Sequence, residues 1–300
     1  MKKIFSVIFF VLVLFVMTSC VSKVTNDEEA MDAFLASIAK ISNQNGFLMD
    51  GDFSLDFVMQ DQPTNFSGNF SFESTVLPVY ASKMNLDMNT KLLGMDVRIP
   101  MSMYFDFSNT MSMYVCFMGL CGYSDIQTDA SYTTSLNENV KKMRSKDYLL
   151  KLAELVKNIS YTKFNGITEL KNEKVYDIDL IFKDKVFSQV FQFMKNDPSF
   201  SPMMAQMNYS EEEILVFDNL FKNLNIKIFL KEKDCSLFCT ELDLGFFMNF
   251  VMSSSLFQSS SGSMRLFYLE GEPKNPIIVP ENIKSTAVPL KQMFEQLGGM

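Results

Sequence analysis

The sequence predicts an α+β fold: one large, curved antiparallel sheet with helices packed on one of its faces. Three observations carry that expectation. The hydrophobic period changes from 3.6 to 2 at about residue 47 and stays at 2 as far as residue 126. Helical periodicity returns in the middle of the chain, and alternation resumes in its last third. No sharp linker separates these stretches, so the strands before and after the helices are expected to complete a single sheet. The expected organisation is a leader over 1–20, a polar tether over 21–28 and one α+β domain over 29–300.

The leader is "MKKIFSVIFFVLVLFVMTSC". Lys2 and Lys3 form a positive start, and Ile4 to Met17 is an almost unbroken apolar run. That run is short of the roughly 20 residues a membrane span needs, and suits the apolar region of a signal peptide. Thr18 and Ser19 are small and are followed by Cys20. This resembles the lipobox of bacterial lipoproteins, whose cysteine is acylated and becomes the mature N-terminus. Met17 stands where that pattern usually carries leucine. Cys20 is therefore the expected lipid anchor, and the rest of the chain is expected outside the cytoplasm, held to a membrane of the cell envelope.

The elements follow in order. "DEEAMDAFLASIAKIS" (27–42) reads as a helix with Asp27 as cap, acids in the first turn and Met31, Phe34, Leu35, Ile38 and Ile41 on one stripe. Residues 47–126 read as a meander of five or six strands, with turns at 61–65 and 107–110. Residues 135–159 read as helical. "YTKFNGITEL" and "KVYDIDLIF" read as a hairpin joined across "KNE". Helices are expected over "KDKVFSQVFQFMKN" and over "SEEEILVFDNLFKN", the latter capped by Ser210. Between them, "SFSPMMAQMNYS" reads as a methionine-rich loop and a candidate lid. "LNIKIFLKEK" and "LFCTELDLGFFMNFVM" read as strands, "SSSLFQSSSGS" as a loop and "MRLFYLEG" as one more strand. "PKNPIIVPENI" is expected to be extended by its prolines, before a short final helix at "PLKQMFEQL".

Charge and chemistry narrow the function. Without Lys2 and Lys3 the chain carries a net charge of −10. Such an acidic surface is a poor partner for nucleic acid and argues against a polybasic grip on anionic lipid. There is no histidine, so neither a Ser-His-Asp nor a Cys-His arrangement can form. Asp177 and Asp179 lie at strand spacing near Lys174 and Lys183 and read as a solvated strand face. No clustered acids around a glycine suggest a calcium loop, and the chain reads as non-enzymatic, with no cofactor and no metal. Four cysteines follow Cys20. In an exported chain they suggest disulfides Cys116–Cys121 and Cys235–Cys239; the rival reading, a metal site built from all four, lacks the usual zinc spacings.

The longest alternation is "KLLGMDVRIPMSMYFDFSNTMSMYVCF" (91–117). Its apolar side is methionine and phenylalanine where a tight core would more often carry Val, Ile and Leu. The chain has 23 methionines, 30 phenylalanines and no tryptophan. Methionine is unbranched and polarisable, so it conforms to irregular apolar shapes. Such a face can pack against helices as a plain core, or line a deformable cavity for an acyl chain. The expected lining is Phe57, Met59, Phe70, Phe72, Met84, Met88, Met95, Met101, Met103, Phe105, Phe246 and Met248.

The lipobox, the N-terminal helix, the long alternating strands such as "MSMYVCF", the helical middle and the return to strands through "VYDIDLIF" together resemble the LolA/LppX/LprG-like exported lipoproteins. That resemblance covers residues 27–270 or so. It implies a half-barrel sheet wrapped over helices with a hydrophobic cavity between them, and carriage of a lipid or lipoprotein. The reading is thus a membrane-anchored lipoprotein that takes a lipid-like ligand. Its alternative is a non-catalytic surface interaction or structural lipoprotein with a filled core.

Overall fold

The computed structural model describes residues 23–42, 44–59, 62–76, 81–92, 95–106, 111–126, 142, 144–197, 209–245 and 257–298. In chain order the elements are α1 (Asp27–Ser42), β1 (Gly46–Met59), β2 (Gln62–Thr75), β3 (Ala81–Leu92), β4 (Met95–Asp106), β5 (Met111–Phe117) and β6 (Leu120–Ile126). Then come α2 (Lys146–Ile159), β7 (Ser160–Leu170), β8 (Glu173–Phe182), α3 (Val186–Asn196), α4 (Glu211–Lys222), β9 (Asn225–Lys231) and β10 (Leu237–Asp243). The chain continues with β11 (Phe257–Leu269), α5 (Glu281–Thr286), β12 (Val288–Pro289) and α6 (Leu290–Gly298). The fold is α+β, with a large, mostly antiparallel sheet and helices, as the periodicity predicts. The chain divides into two compact units interleaved along the sequence: unit 1 takes 1–43 and 142–254, and unit 2 takes 44–141 and 255–300.

Unit 1 orders its strands β10-β9-β8-β7, all antiparallel. The β7–β8 turn is Lys171–Asn172, both at positive φ (50° and 63°), the geometry of a tight primed hairpin turn. Helix α1 packs on β7, and also reaches α2, β9 and β10. Its buried stripe includes Ala30, Phe34 and Ile38, each no more than 1 % exposed, because residues at three- and four-residue spacing share one helix face. Beneath it Ile178, Ile228 and Leu230 are fully buried. Helices α3 and α4 pack on each other. The buried carboxylate of Asp218 on α4 accepts from the Ser188 backbone N–H at 2.9 Å and from the Ser188 hydroxyl, joining the two helices. Helix α4 starts in a full capping box between Ser210 and Glu213, which satisfies two otherwise orphaned donors.

Three expectations are corrected in this unit. The cap of α1 is Asn26, whose Oδ1 accepts from Glu29 N–H at 2.9 Å. Asp27 instead ties α1 to β7: its carboxylate accepts from Phe164 N–H at 2.7 Å and its carbonyl from the Thr162 hydroxyl at 2.6 Å. The polar tether expected over 21–28 is docked from Val24 onward, because Val24 is buried beside Tyr176 and its N–H bonds the Tyr176 hydroxyl. Cys235 and Cys239 are buried thiols and are not joined in the expected disulfide. Cys235 sits in the turn after β9 at a φ of 52°, while Cys239 is held in the ladder opposite Phe229.

Unit 2 orders its strands β12-β6-β5-β4-β3-β2-β1-β11, antiparallel except for the β12–β6 pair. Residues 257–263, expected as a serine-rich loop, form the first half of β11. The small side chains allow it: Gly262 lies opposite Leu55, where a Cβ would come within 2.3 Å of the Ser54 carbonyl oxygen. The turn expected at 61–65 is displaced, since β2 already begins at Gln62; the turn expected at 107–110 lies outside the described residues. After the extended prolines, the stretch expected to stay extended turns helical at Glu281. The β5–β6 hairpin turns on Met118 and Gly119, at φ 50° and 84°. Next to it Cys116 and Cys121 face each other, Cα atoms 4.1 Å apart, and form a disulfide. Helix α6 packs on β6 and β12. Gly122 makes room for it, since a Cβ there would meet Leu290 Cδ1 at 2.9 Å and Met293 Sδ at 3.0 Å.

Two substitutions test these contacts. Asn26→Ala removes the α1 cap and is expected to cost about 1 kcal/mol, read as a lowered urea midpoint. Gly122→Val forces α6 off β6 and is expected to cost ~1–3 kcal/mol, with the same readout.

Candidate functional site

Paired residues in neighbouring strands point to the same side, so register alone assembles the faces of the unit 2 sheet. One line across it runs Met49, Phe72, Met84, Met103, Val115. The next runs Gly51, Phe70, Leu86, Met101, Phe117. A third runs Phe53, Gly68, Met88, Ile99 and a fourth Leu55, Phe66, Thr90, Val97. On β11, Met264 and Leu266 extend two of these lines. This is a continuous apolar face several strands wide.

The opposite face is polar. Asp52, Asn69, Asp87 and Pro100 form one of its lines, and Ser54, Ser67, Asn89 and Arg98 another. Arg98 holds Asp87 through both guanidinium nitrogens, with Nε 2.7 Å from Oδ1. That hydrogen bond, with the guanidinium charge, keeps the Asp87 carboxyl below the usual carboxylate range. Ser112 donates to Asp125 at 2.7 Å, and Asn65 to Asp56 at 2.7 Å.

Glycines let the aromatic rings lie down on the apolar face. A Cβ on Gly51 would meet the Phe70 ring at 2.1 Å, and one on Gly68 would meet the Phe53 ring at 2.9 Å. Each phenylalanine thus covers the glycine opposite it on the neighbouring strand. Diagonal neighbours then stack: Phe57 on Phe66 at 5.5 Å and Phe47 on Phe72 at 5.6 Å. The resulting surface is low and broad, with flexible methionines across β3 and β4.

Phe57, Phe70, Phe72, Met84, Met88, Met101, Met103 and Phe105 all lie on this face and are all half-buried. Met95 belongs to the same side at the start of β4 and is 65 % exposed. Met59 ends β1 opposite Gln62. Phe246, Met248 and the loop "SPMMAQM" lie outside the described residues. The face also includes Phe47 and Met49, Met113, Val115 and Phe117 in β5, and Met264 and Leu266 in β11. Only the first half of β11, 257–263, is obscured by its serines. The contrast with unit 1 is the main geometric finding. There the sheet–helix interface is dry and sealed, with Ile178, Ile228 and Leu230 at 0 % exposure. Within unit 2, α6 packs at the β6 end of the sheet, and the central Phe and Met side chains keep part of their surface accessible.

Polar chemistry is sparse by comparison. Asp177 accepts from Asn165 at 3.3 Å and Asp179 lies 3.9 Å from Lys227, both in unit 1. Among the described residues, no three His, Cys, Asp or Glu side chains are grouped to hold a metal ion, and no helix is long and apolar enough to cross a membrane.

No protein-family model and no curated protein matches the sequence. Among solved structures the chain is similar to LprF from Mycobacterium bovis, at 8 % identity and a TM-score of 0.39, over 86 % of this chain and 99 % of that one. It is also similar to the lipoprotein LppX from Mycobacterium tuberculosis, at 10 % identity and a TM-score of 0.37, over 85 % and 100 % of the two chains. A domain described as an outer membrane lipoprotein-sorting protein, from Vibrio parahaemolyticus, matches at 7 % identity and a TM-score of 0.21, over 76 % and 88 %.

Gly51→Val would lift the Phe70 ring and press on the Arg265 carbonyl oxygen, 2.5 Å from the new Cβ. It is expected to destabilise the protein by ~1–3 kcal/mol, measured by urea unfolding.

Proposed function

We propose that this chain is an exported lipoprotein, anchored through Cys20, that holds a lipid-like ligand on the apolar face of the unit 2 sheet. One observation carries the reading: a broad face of phenylalanine and methionine, ordered by register, that keeps part of its surface accessible while the helix-covered strands of unit 1 are sealed. Large accessible apolar areas on a folded protein mark sites for an apolar partner.

The ligand's acyl chain is held by non-directional contact, worth roughly 25 cal/mol per Å² of apolar surface removed from water. A lipid leaving a bilayer gives up apolar surroundings of the same kind. The protein therefore needs to match the membrane rather than exceed it. Methionine suits this, because its unbranched thioether repacks around chains of differing shape. The anchor keeps the site at the membrane, where such ligands are found; stable anchoring calls for more than one acyl chain.

Two experiments test the reading. In the first, the chain from residue 21, lacking Cys20, is purified from a bacterial host and examined by native mass spectrometry with lipid extraction. A near-stoichiometric lipid is expected. The double variant Met101→Asp/Met103→Asp is expected to lose at least about tenfold in occupancy, since burying an acyl chain against unpaired carboxylates is costly. A clean apo mass that does not shift on adding fatty acids or phospholipids would move the reading to an interaction module with a filled core. In the second, Cys20→Ser in the full chain is expected to abolish acylation, seen as loss of lipid mass and transfer of the protein from the detergent phase to the aqueous phase.

A further inference from the structure

We infer that the end of unit 1 formed by the β7–β8 and β9–β10 turns rests on the anionic headgroups of the membrane leaflet that holds Cys20. The inference builds on the reading of Cys20 as acylated and adds a contact surface to it.

The first ground is the length of the leash. Val24 is 2 % exposed and its N–H bonds the Tyr176 hydroxyl. Thr25 and Glu29 are bonded at 2.6 and 2.7 Å, and Asn26 caps α1. The chain is thus fixed to unit 1 from Val24 onward. Cys20 lies four positions earlier, and four residues reach at most about 14 Å when fully extended. Acyl chains on Cys20 sit in the hydrocarbon, so Val24 is held within that distance of the headgroups.

The second ground is what surrounds Val24. Tyr176 forms one wall of an open depression whose rim carries Lys23, Lys174, Lys233, Glu173 and Glu232. Lys171 stands in the β7–β8 turn beside it. The acids are partly committed: Glu173 lies 3.7 Å from Lys233, and Asp234 in the second turn lies 3.5 Å from Lys40. This end therefore carries Lys23, Lys40, Lys171, Lys174 and Lys233 against Glu169, Glu173, Glu232 and Asp234, a near balance on a chain whose overall charge is strongly negative. The acidic remainder of the protein is repelled by an anionic leaflet, and this end is not. Charge and leash both turn the same end toward the membrane.

The absence of tryptophan supplies the test. Single tryptophans are placed at exposed positions of the acylated full chain: Glu169→Trp beside the β7–β8 turn, and Asn225→Trp at the opposite end of the same sheet. The proteins are bound to vesicles of phosphatidylcholine and phosphatidylglycerol doped with a headgroup-labelled nitroxide lipid. Lys174→Trp and Lys222→Trp form a second pair should one of the first fail to fold. Quenching at residue 169 is expected to exceed that at 225 at least twofold. The difference is expected to shrink in about 0.5 M NaCl, where the screening length falls to roughly 4 Å. Equal or reversed quenching in a protein whose intact mass shows acylation overturns the contact and leaves the anchor standing. A difference unchanged by salt overturns the role of the lysines. An unacylated mass overturns the anchor and this contact together.

Discussion

Strand register is the constraint on which the rest depends. Side chains in a strand alternate strictly, so a slip of one residue would send every phenylalanine and methionine of that strand to the polar face. The β1–β2 pair runs in unbroken register from Gly46 to Met59, and β3–β4 is unbroken from Ala81 to Met95 at their joined ends. Several devices hold that register. The Gly51–Phe70 and Phe53–Gly68 pairs interlock only in one alignment, because the ring needs the missing Cβ opposite it. The Cys116–Cys121 bond fixes β5 against β6 beside a turn that already demands positive φ at two positions. On the polar side, Arg98 and Asp87 are diagonal neighbours, two residues off register, and bridge β3 to β4.

With register fixed, the two units show two uses of the same alternation. In unit 1 the apolar side shared by β8 and β9 carries Tyr176, Ile178, Leu180, Ile226, Ile228 and Leu230, mostly branched aliphatic residues, each no more than 5 % exposed. Branched side chains lose little on being ordered and pack to crystal-like density. In unit 2 the equivalent positions are methionine and phenylalanine. Methionine loses more rotamer freedom when ordered, so a fully packed core is a poor reason to select it. A face that must accept a changing apolar partner is a better one. The composition of the two faces and their exposure therefore point in the same direction, although each was observed separately.

Much of this was legible in the sequence. The change of period from 3.6 to 2, the meander over 47–126, the cap at Ser210 and the Lys171–Asn172 turn all rest on local chemistry, and local chemistry is what a sequence displays. Nine of the twelve expected lining residues, Met95 included, fall on one described face for the same reason. The failures share a different cause. The first half of β11 is hidden because serine and glycine carry no strand preference; only their fit against the β1 backbone makes them a strand. Asn26 and Asp27 are both good caps, and the choice between them is made by β7, which takes the Asp27 carboxylate for Phe164. Cys235 and Cys239 are close in the chain, but the turn and the ladder assign them separate places. The docking of Val24 depends on Tyr176, about 150 residues away. In each case a partner distant in sequence decided the outcome.

Under the proposed anchoring through Cys20, that last contact also limits how the protein can work at a membrane. A lipoprotein on a long flexible tether samples many orientations, and its binding face meets the bilayer only some of the time. With Cys20 as the proposed anchor, the fixed chain begins four residues after it, so the tether allows little sampling. The entropy of orientation is removed once, when Val24 docks, rather than at each encounter with a lipid. A short leash of this kind favours the repeated handling of one membrane's lipids over release and transit to another. A carrier that must cross the space between two membranes would need either a long tether or none.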